Sequence, residues 1–320
     1  SNMKAVSFYR FFDLDDPQAF RDELQAQCER LDLLGTILVA GEGFNGTVAG
    51  SEEAVLALFD WIRSRAELEG ELDARWTDAG SAPFRRLRVK VKKEIVTLGR
   101  PDILPHERTG KHVPPDQWNR LLDDPEVLLI DTRNHYEIEV GTFPGAIDPG
   151  NDSFRQFPDF ARELAETSRD RRLAMFCTGG IRCEKATALM LELGFDEVYH
   201  LQGGILNYLQ QVPADENRWD GECFVFDTRV AVDRDLAEGG YVQCHACRRP
   251  LSDADMRSPD YREGVSCPKC IDETDEERRA RLEERRRQVA LAASRGQQHI
   301  GPKSPDSSLR EADKPSKKTQ

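Results

Sequence analysis

Leu173-Ala174-Met175-Phe176-Cys177-Thr178-Gly179-Gly180-Ile181-Arg182-Cys183 is the stretch on which the reading of this chain turns. Four apolar residues predict a buried strand, and the glycines predict a turn. A helix then starts near Cys183, with Ala186, Leu189, Met190 and Leu193 on its apolar side. A cysteine at a helix N-terminus faces unpaired backbone N–H groups and the positive end of the helix dipole, which favour its thiolate. Gly179 and Gly180 let the backbone curl between Thr178 and Ile181, so that several N–H groups converge on one point. Arg182 adds a fixed positive charge. Such a loop suits an anionic sulfur and the anion it reacts with, so Cys177 is the candidate nucleophile, placed in a surface loop. Cys183 sits at the same helix start, where its pKa is also expected to be lowered. It is a candidate to resolve an oxidised or sulfur-bearing Cys177 as a disulfide. A packing thiol is the other reading.

Outward from this loop, strands and helices alternate from about residue 113 to 213. Residues 127–131 (VLLID) and 197–201 read as further buried strands. That alternation predicts a parallel sheet with helices on both faces. Asp131, at a strand end, and Arg133 and Glu137 after it are candidates to organise the neighbouring loops. Residues 100–112 lie in a proline-rich stretch without a clear period and read as a linker.

Residues 3–99 read as β-α-β-β-α-β, the ferredoxin-like order. Strands are predicted at 4–12, at 36–40, after the turn-rich GEGFNG, and at 86–92. The helix at 16–32 puts Phe20, Leu24, Cys28 and Leu31 on one face, with Cys28 a core thiol. The second helix, capped by Ser51, presents Val55, Leu58 and Ile62. In RRLRVKVKK, Leu87, Val89 and Val91 alternate with Arg86, Arg88, Lys90 and Lys92, so one side of the strand carries a basic stripe. It could neutralise phosphates, or be an ordinary solvated strand face. Phe44 and Asn45, if exposed on their glycine-rich loop, would stack on or hydrogen-bond to an unpaired base.

Past residue 213 the pattern weakens. Cys244-His245-Ala246-Cys247 and Cys267-Pro268-Lys269-Cys270 are two CxxC pairs with 19 residues between them. Four thiolates at that spacing predict a structural zinc site in a segment, 214–272, too small for a core of its own. A metal-free reduced turn and an iron–sulfur site are the rivals. Residues 273–294 read as a charged, solvated helix and 295–320 as a disordered tail.

The chain has 320 residues, enough for several domains, and a net charge of −13, which argues against wholesale wrapping by nucleic acid but not against a local basic patch. No apolar run is long enough to span a bilayer and no signal-peptide pattern opens the chain, so a cytoplasmic, membrane-free protein is expected. In such a compartment the eight cysteines suit metal binding or redox chemistry better than a disulfide framework. The six histidines form no recognisable metal set. No facial triad of His and carboxylate falls at helical spacing, and there is no dinucleotide fingerprint, so no nucleotide cofactor is expected.

Four residues separate Cys177 from Arg182, one fewer than in the cysteine-dependent phosphatases, and C-T-G-G-I-R resembles the active-site loop of the rhodanese family. The resemblance implies a flavodoxin-like domain whose loop cysteine forms a persulfide. Cys183 departs from that pattern, which usually has a serine or another small residue there. The series GEGFNGTVAG, RRLRVKVKKEIVTLG, DTRNHYEIEVGTFPGAI, MFCTGGIRCEKA and GECFVFDTRVAV, over roughly residues 3–270, is similar to the bacterial rhodanese-domain tRNA uridine hydroxylases. That resemblance implies tRNA as partner, 5-hydroxyuridine at the wobble position as product, and molecular oxygen as co-substrate. The alternatives are a sulfurtransferase passing sulfur from Cys177, and a redox-sensing module without turnover.

Overall fold

The computed structural model describes residues 3–78, 80, 84–227, 229–271 and 275–298. The chain begins with β1 (Met3–Phe11), α1 (Pro17–Arg30), β2 (Leu34–Ala40), β3 (Gly43–Ser51), α2 (Glu52–Arg65), β4 (Asp73–Asp78) and β5 (Leu87–Val91). These strands form one sheet in the order β4-β1-β3-β2-β5. The first four strands have the ferredoxin-like arrangement. β4 was not expected, because DARWTD is polar and lies at an exposed edge. The expected last strand is instead β5, an extra edge strand parallel to β2. Asp16 caps α1 by accepting from Ala19 N, and Ser51 caps α2 by accepting from Ala54 N. Phe20, Leu24 and Cys28 of α1 and Val55, Leu58 and Ile62 of α2 pack on Val6, Phe8, Ile37, Phe44 and Val48, all buried on one face of the sheet.

The second domain contains β6 (Lys111–Val113), α3 (Pro115–Asp123), β7 (Val127–Asp131), α4 (His135–Ile138), β8 (Gly141–Thr142), α5 (Phe157–Ser168), β9 (Arg172–Phe176), α6 (Ile181–Glu192), β10 (Val198–Leu201) and α7 (Gly204–Gln211). Its main sheet has the order β6-β10-β9-β7, with every pairing parallel. Side chains of β7 and β9 are buried on both faces, which is why these strands read as continuous apolar runs. On one face Leu128, Ile130, Leu173 and Met175 meet α5 and α6. On the other, Leu129, Ala174 and Phe176 meet α3 and α7. The segment read as a linker is part of this body: Ile103 is buried in its core and Lys111–Val113 is a sheet strand.

The C-terminal region has the short strands β11 (Asp220–Gly221), β12 (Cys223–Phe224), β13 (Ala231–Val232), β14 (Val242–Gln243) and β15 (Pro250–Leu251), then α8 (Asp253–Arg257) and α9 (Asp275–Gln298). α9 is docked rather than solvated. Ala292 joins the core beside α5, and Arg285 is buried against Glu163, the Pro149 carbonyl and the Phe160 ring. Its arginine-rich composition hid this, because the anchors are guanidiniums as well as apolar side chains. The helix runs past residue 294, and residues 299–320 of the expected tail lie outside the described residues.

Candidate active site

β9 delivers Cys177 to the carboxyl edge of the parallel sheet, where loops of α/β folds gather ligands. Gly180 is left-handed (φ +99°), which lets it cap α6 and turn its N–H toward Cys177 Sγ at 3.2 Å. The loop is tied down by Ile205 N and Leu206 N, which donate to the Cys177 and Thr178 carbonyls. The thiol is not in an open surface loop as expected: Cys177 is only 1% exposed and packs into the core cluster under α6. Burial alone would push this thiol up. The hydrogen bond from the Cys183 thiol, the charge of Arg182 and the N–H groups of Cys183 and Gly180 outweigh it and hold Cys177 at about 6.

Cys183 is the opposite case. It is fully enclosed, with its Sγ 3.5 Å from Thr132 Oγ1. Burial and the neighbouring Cys177 thiolate push its pKa well up, correcting the expectation from its place at the helix start. Two thiols in contact cannot both ionise at low cost, so the proton stays on Cys183.

The acidic and basic residues around the loop form two buried pairs. Glu137 binds Arg182 at 2.7 and 2.8 Å, and Arg182 also donates to Thr178 Oγ1 at 3.2 Å. Burial would raise the Glu137 pKa, but Arg182 and Arg133 hold it below its ordinary value. Asp131 accepts from Arg133 Nε and Nη2 at 3.0 and 2.8 Å and from Thr142 at 2.9 Å, which fixes the loop after β7. Thr178, Gly179, Gly180 and Ile181 thus run between the Cys177 thiol and a guanidinium oriented by Glu137.

The face of the N-terminal sheet away from its helices turns toward this loop. Tyr9 Oη donates to Glu184 of α6 at 3.2 Å and lies 3.2 Å from where a Cβ on Gly180 would sit. Register carries this face outward. Lys90 pairs with Leu38, Leu38 with Asn45, and Asn45 with Tyr9; Arg88 leads through Thr36, Thr47 and Ser7 to Arg75. Directly paired residues share a face, so Arg88 and Lys90 stand about 14 Å, three strand spacings, from Ser7 and Tyr9. Arg86 and Lys92 flank β5 and are also exposed. Phe44 does not join this surface. Pairing with Val39 puts it on the helix side, fully buried and stacked on Phe20, so it is a core residue. The Asn45 side chain is occupied, donating to the Ile95 carbonyl at 3.0 Å.

Cys244, Cys247, Cys267 and Cys270 converge with their sulfurs within 4.8 Å of one another. Two of the separations are 3.7 Å (Cys247 to Cys267) and 3.6 Å (Cys267 to Cys270). A tetrahedral zinc with Zn–S bonds of about 2.3 Å spaces its sulfurs about 3.8 Å apart, so the donor set fits a zinc ion with no coordination position left over.

Several residues here were not singled out from sequence. Lys185 is fully buried between Glu42 at 2.8 Å and Glu94 at 2.6 Å, locking the first domain to α6. Phe226 is 69% exposed beside the Arg182 guanidinium, 5.8 Å from its ring centre. The only advance signal for Phe226 was the motif GECFVFDTRVAV, whose second phenylalanine has no helical or strand partner in sequence.

Comparison with known proteins matches this geometry. Residues 114–211 fit the model of the rhodanese-like domain. The site lies in a rhodanese-like domain. Residues 3–95 fit the UPF0176 acylphosphatase-like domain, and that domain followed by a rhodanese domain is the architecture of the UPF0176 family. Among solved structures, the human single-domain sulfurtransferase is 24% identical, with 32% of this chain and 99% of that one aligned at a TM-score of 0.28. A rhodanese-like domain from Anabaena is 17% identical over 35% of this chain and 80% of its own, TM-score 0.28. An acylphosphatase from Coxiella burnetii is 15% identical over 28% of this chain and 94% of its own, TM-score 0.22. The rhodanese-like domain supports cysteine-based or sulfurtransferase-like chemistry. No helix among the described residues is long and apolar enough to cross a membrane.

Proposed function

We propose that the protein modifies tRNA, hydroxylating the wobble uridine at C5 with Cys177 as the reactive group: one atom of molecular oxygen enters the product, and a small thiol reductant supplies the two electrons that reduce the other to water. The observation that carries the RNA assignment is the continuous sheet face from Arg88 and Lys90 to Tyr9, which abuts the Cys177 loop. Phosphates held at the basic edge would stand about 14 Å, three strand spacings, from Tyr9, the residue of this face that meets the Cys177 loop at Gly180. Phe226, in place of Phe44, is the platform on which that base stacks beside Arg182. The chain's own contributions are a thiolate ready at neutral pH, a loop of N–H donors and a guanidinium held by Glu137. The oxygen chemistry rests on the motif resemblance. Cys244, Cys247, Cys267 and Cys270 hold a structural zinc that staples the C-terminal segment. The site of action is the cytoplasm.

Nucleoside mass spectrometry of tRNA from a strain lacking the gene tests the assignment. Loss of 5-hydroxyuridine, restored by the wild-type gene and not by Cys177→Ser, is expected; unchanged 5-hydroxyuridine in the deletion overturns it. The second reading, sulfur transfer through a Cys177 persulfide, is favoured by the four-residue spacing to Arg182 and by the Gly180 N–H on the sulfur. Thiosulfate-dependent sulfur transfer by the purified protein, with tRNA left unmodified, would establish it instead.

A further inference from the structure

We propose that His112, Glu184 and His200 form a binding site for one divalent first-row transition metal, of the iron(II) or zinc(II) class. The three residues lie far apart in sequence and are assembled by the fold. β6 pairs in parallel with β10, setting His112 directly opposite His200, with ring centres 4.2 Å apart. Glu184, in the first turn of α6, points its carboxylate at both rings. His112 Nε2 is 2.6 Å from Glu184 Oε1, and His200 Nε2 is 3.9 Å from Oε2. One donor atom from each residue falls within 4.8 Å of the others.

A second observation points to a ligand. His200 is 1% exposed, and although the Gly110 backbone lies beside its ring, neither ring nitrogen makes a hydrogen bond of normal geometry among the described residues. Buried imidazoles are almost always hydrogen-bonded or bound to metal. Donors held by one metal at about 2.1 Å stand about 3.0 to 3.4 Å apart, depending on geometry. The observed 2.6 and 3.9 Å straddle that range, so a small shift of the carboxylate seats an ion. Outer contacts of the kind that orient metal ligands are already present: Tyr9 Oη donates to Glu184 Oε1 and Thr109 Oγ1 to Oε2, each at 3.2 Å. Two imidazoles and one carboxylate select a transition metal over calcium or magnesium. The His112 side chain is 39% exposed, so an ion would reach the cluster from that side. Through Tyr9 the site touches the Gly180 end of the Cys177 loop.

This site stands on its own geometry and not on the reaction assigned to Cys177, so its test reads metal rather than turnover. The full chain, stripped by chelator, is first loaded with one equivalent of zinc to fill the four cysteines, then titrated anaerobically with cobalt(II). A second equivalent is expected to bind with weak d–d bands and no sulfur-to-cobalt charge transfer. His112→Ala, Glu184→Gln and His200→Ala should each lose that second equivalent and keep the thiolate-bound first. Because Glu184 also holds Tyr9 and Thr109, the half-exposed His112 variant carries the test if Glu184→Gln fails to fold. No second equivalent in the wild-type chain, or an unchanged second equivalent in folded His112→Ala, overturns the site.

Discussion

At the scale of single residues, Cys177 and Cys183 show how two thiols six positions apart come to have opposite chemistry. Cys177 accepts from Cys183, Gly180 and the loop amides beside Arg182 and sits at about 6; Cys183 is enclosed against that negative charge and is pushed up. The rate of alkylation of Cys177 by iodoacetamide is therefore expected to rise as pH rises through about 6 and to level off above about 7, because only the thiolate reacts. Cys183→Ala removes the leading stabilising hydrogen bond, so its alkylation midpoint should move to higher pH. An unmoved midpoint would assign the depression to Arg182 and the amides alone. Phe44 and Phe226 make a second contrast. Phe44→Ala opens a cavity among Phe8, Phe12 and Phe20 and should cost about 3–5 kcal/mol of stability in a denaturant titration. Phe226→Ala should leave the melting temperature unchanged and weaken tRNA binding by about 1–3 kcal/mol, the worth of one stacked base.

At the scale of elements, what the sequence revealed and what it hid have the same cause. β7, β9 and α6 were legible because burial on both sides of a parallel sheet leaves an apolar run that nothing else explains. The Cys177 loop was legible because a strand, two glycines, an arginine and a helix must fall in register. β4 was not, because it is a polar edge strand held by backbone pairing to β1, and α9 was not, because its anchors include charged side chains whose partners lie in distant segments. Arg285 of α9 is buried against Glu163 of α5 and the Phe160 ring, a pairing no local pattern announces. Arg285→Ala leaves Glu163 short of one partner and should lower stability by about 1–3 kcal/mol, read as a fall in the melting temperature. A solvated helix would give no change. The histidine–carboxylate cluster was hidden for the same reason: β6, α6 and β10 each contribute one donor.

At the scale of the whole molecule, Lys185 is the latch. Its ammonium lies fully buried between Glu42 and Glu94, and Glu94 also receives the Leu98, Gly99 and Arg100 N–H groups of the connecting segment. Lys185→Met leaves two buried carboxylates without a cation and should cost about 3–5 kcal/mol in denaturant unfolding. The latch holds the outer face of the first sheet against the Cys177 loop, the arrangement on which the proposed RNA assignment rests. Replacing Arg86, Arg88, Lys90 and Lys92 by Gln should lower the slope of log affinity for tRNA against log salt by roughly 0.7 to 0.9 per lost phosphate contact, with folding retained. An unchanged slope in filter binding would move the RNA elsewhere.

Oxygen-dependent hydroxylation at Cys177 is tested by mass spectrometry of tRNA that lacks 5-hydroxyuridine, after incubation with the purified full-length protein and a small thiol reductant, in air and under argon. 5-Hydroxyuridine is expected at the wobble position with the wild-type protein in air, and none under argon or with Cys177→Ser. Equal hydroxylation by Cys177→Ser, or no hydroxylation by a wild-type protein that transfers sulfur from thiosulfate, would contradict it.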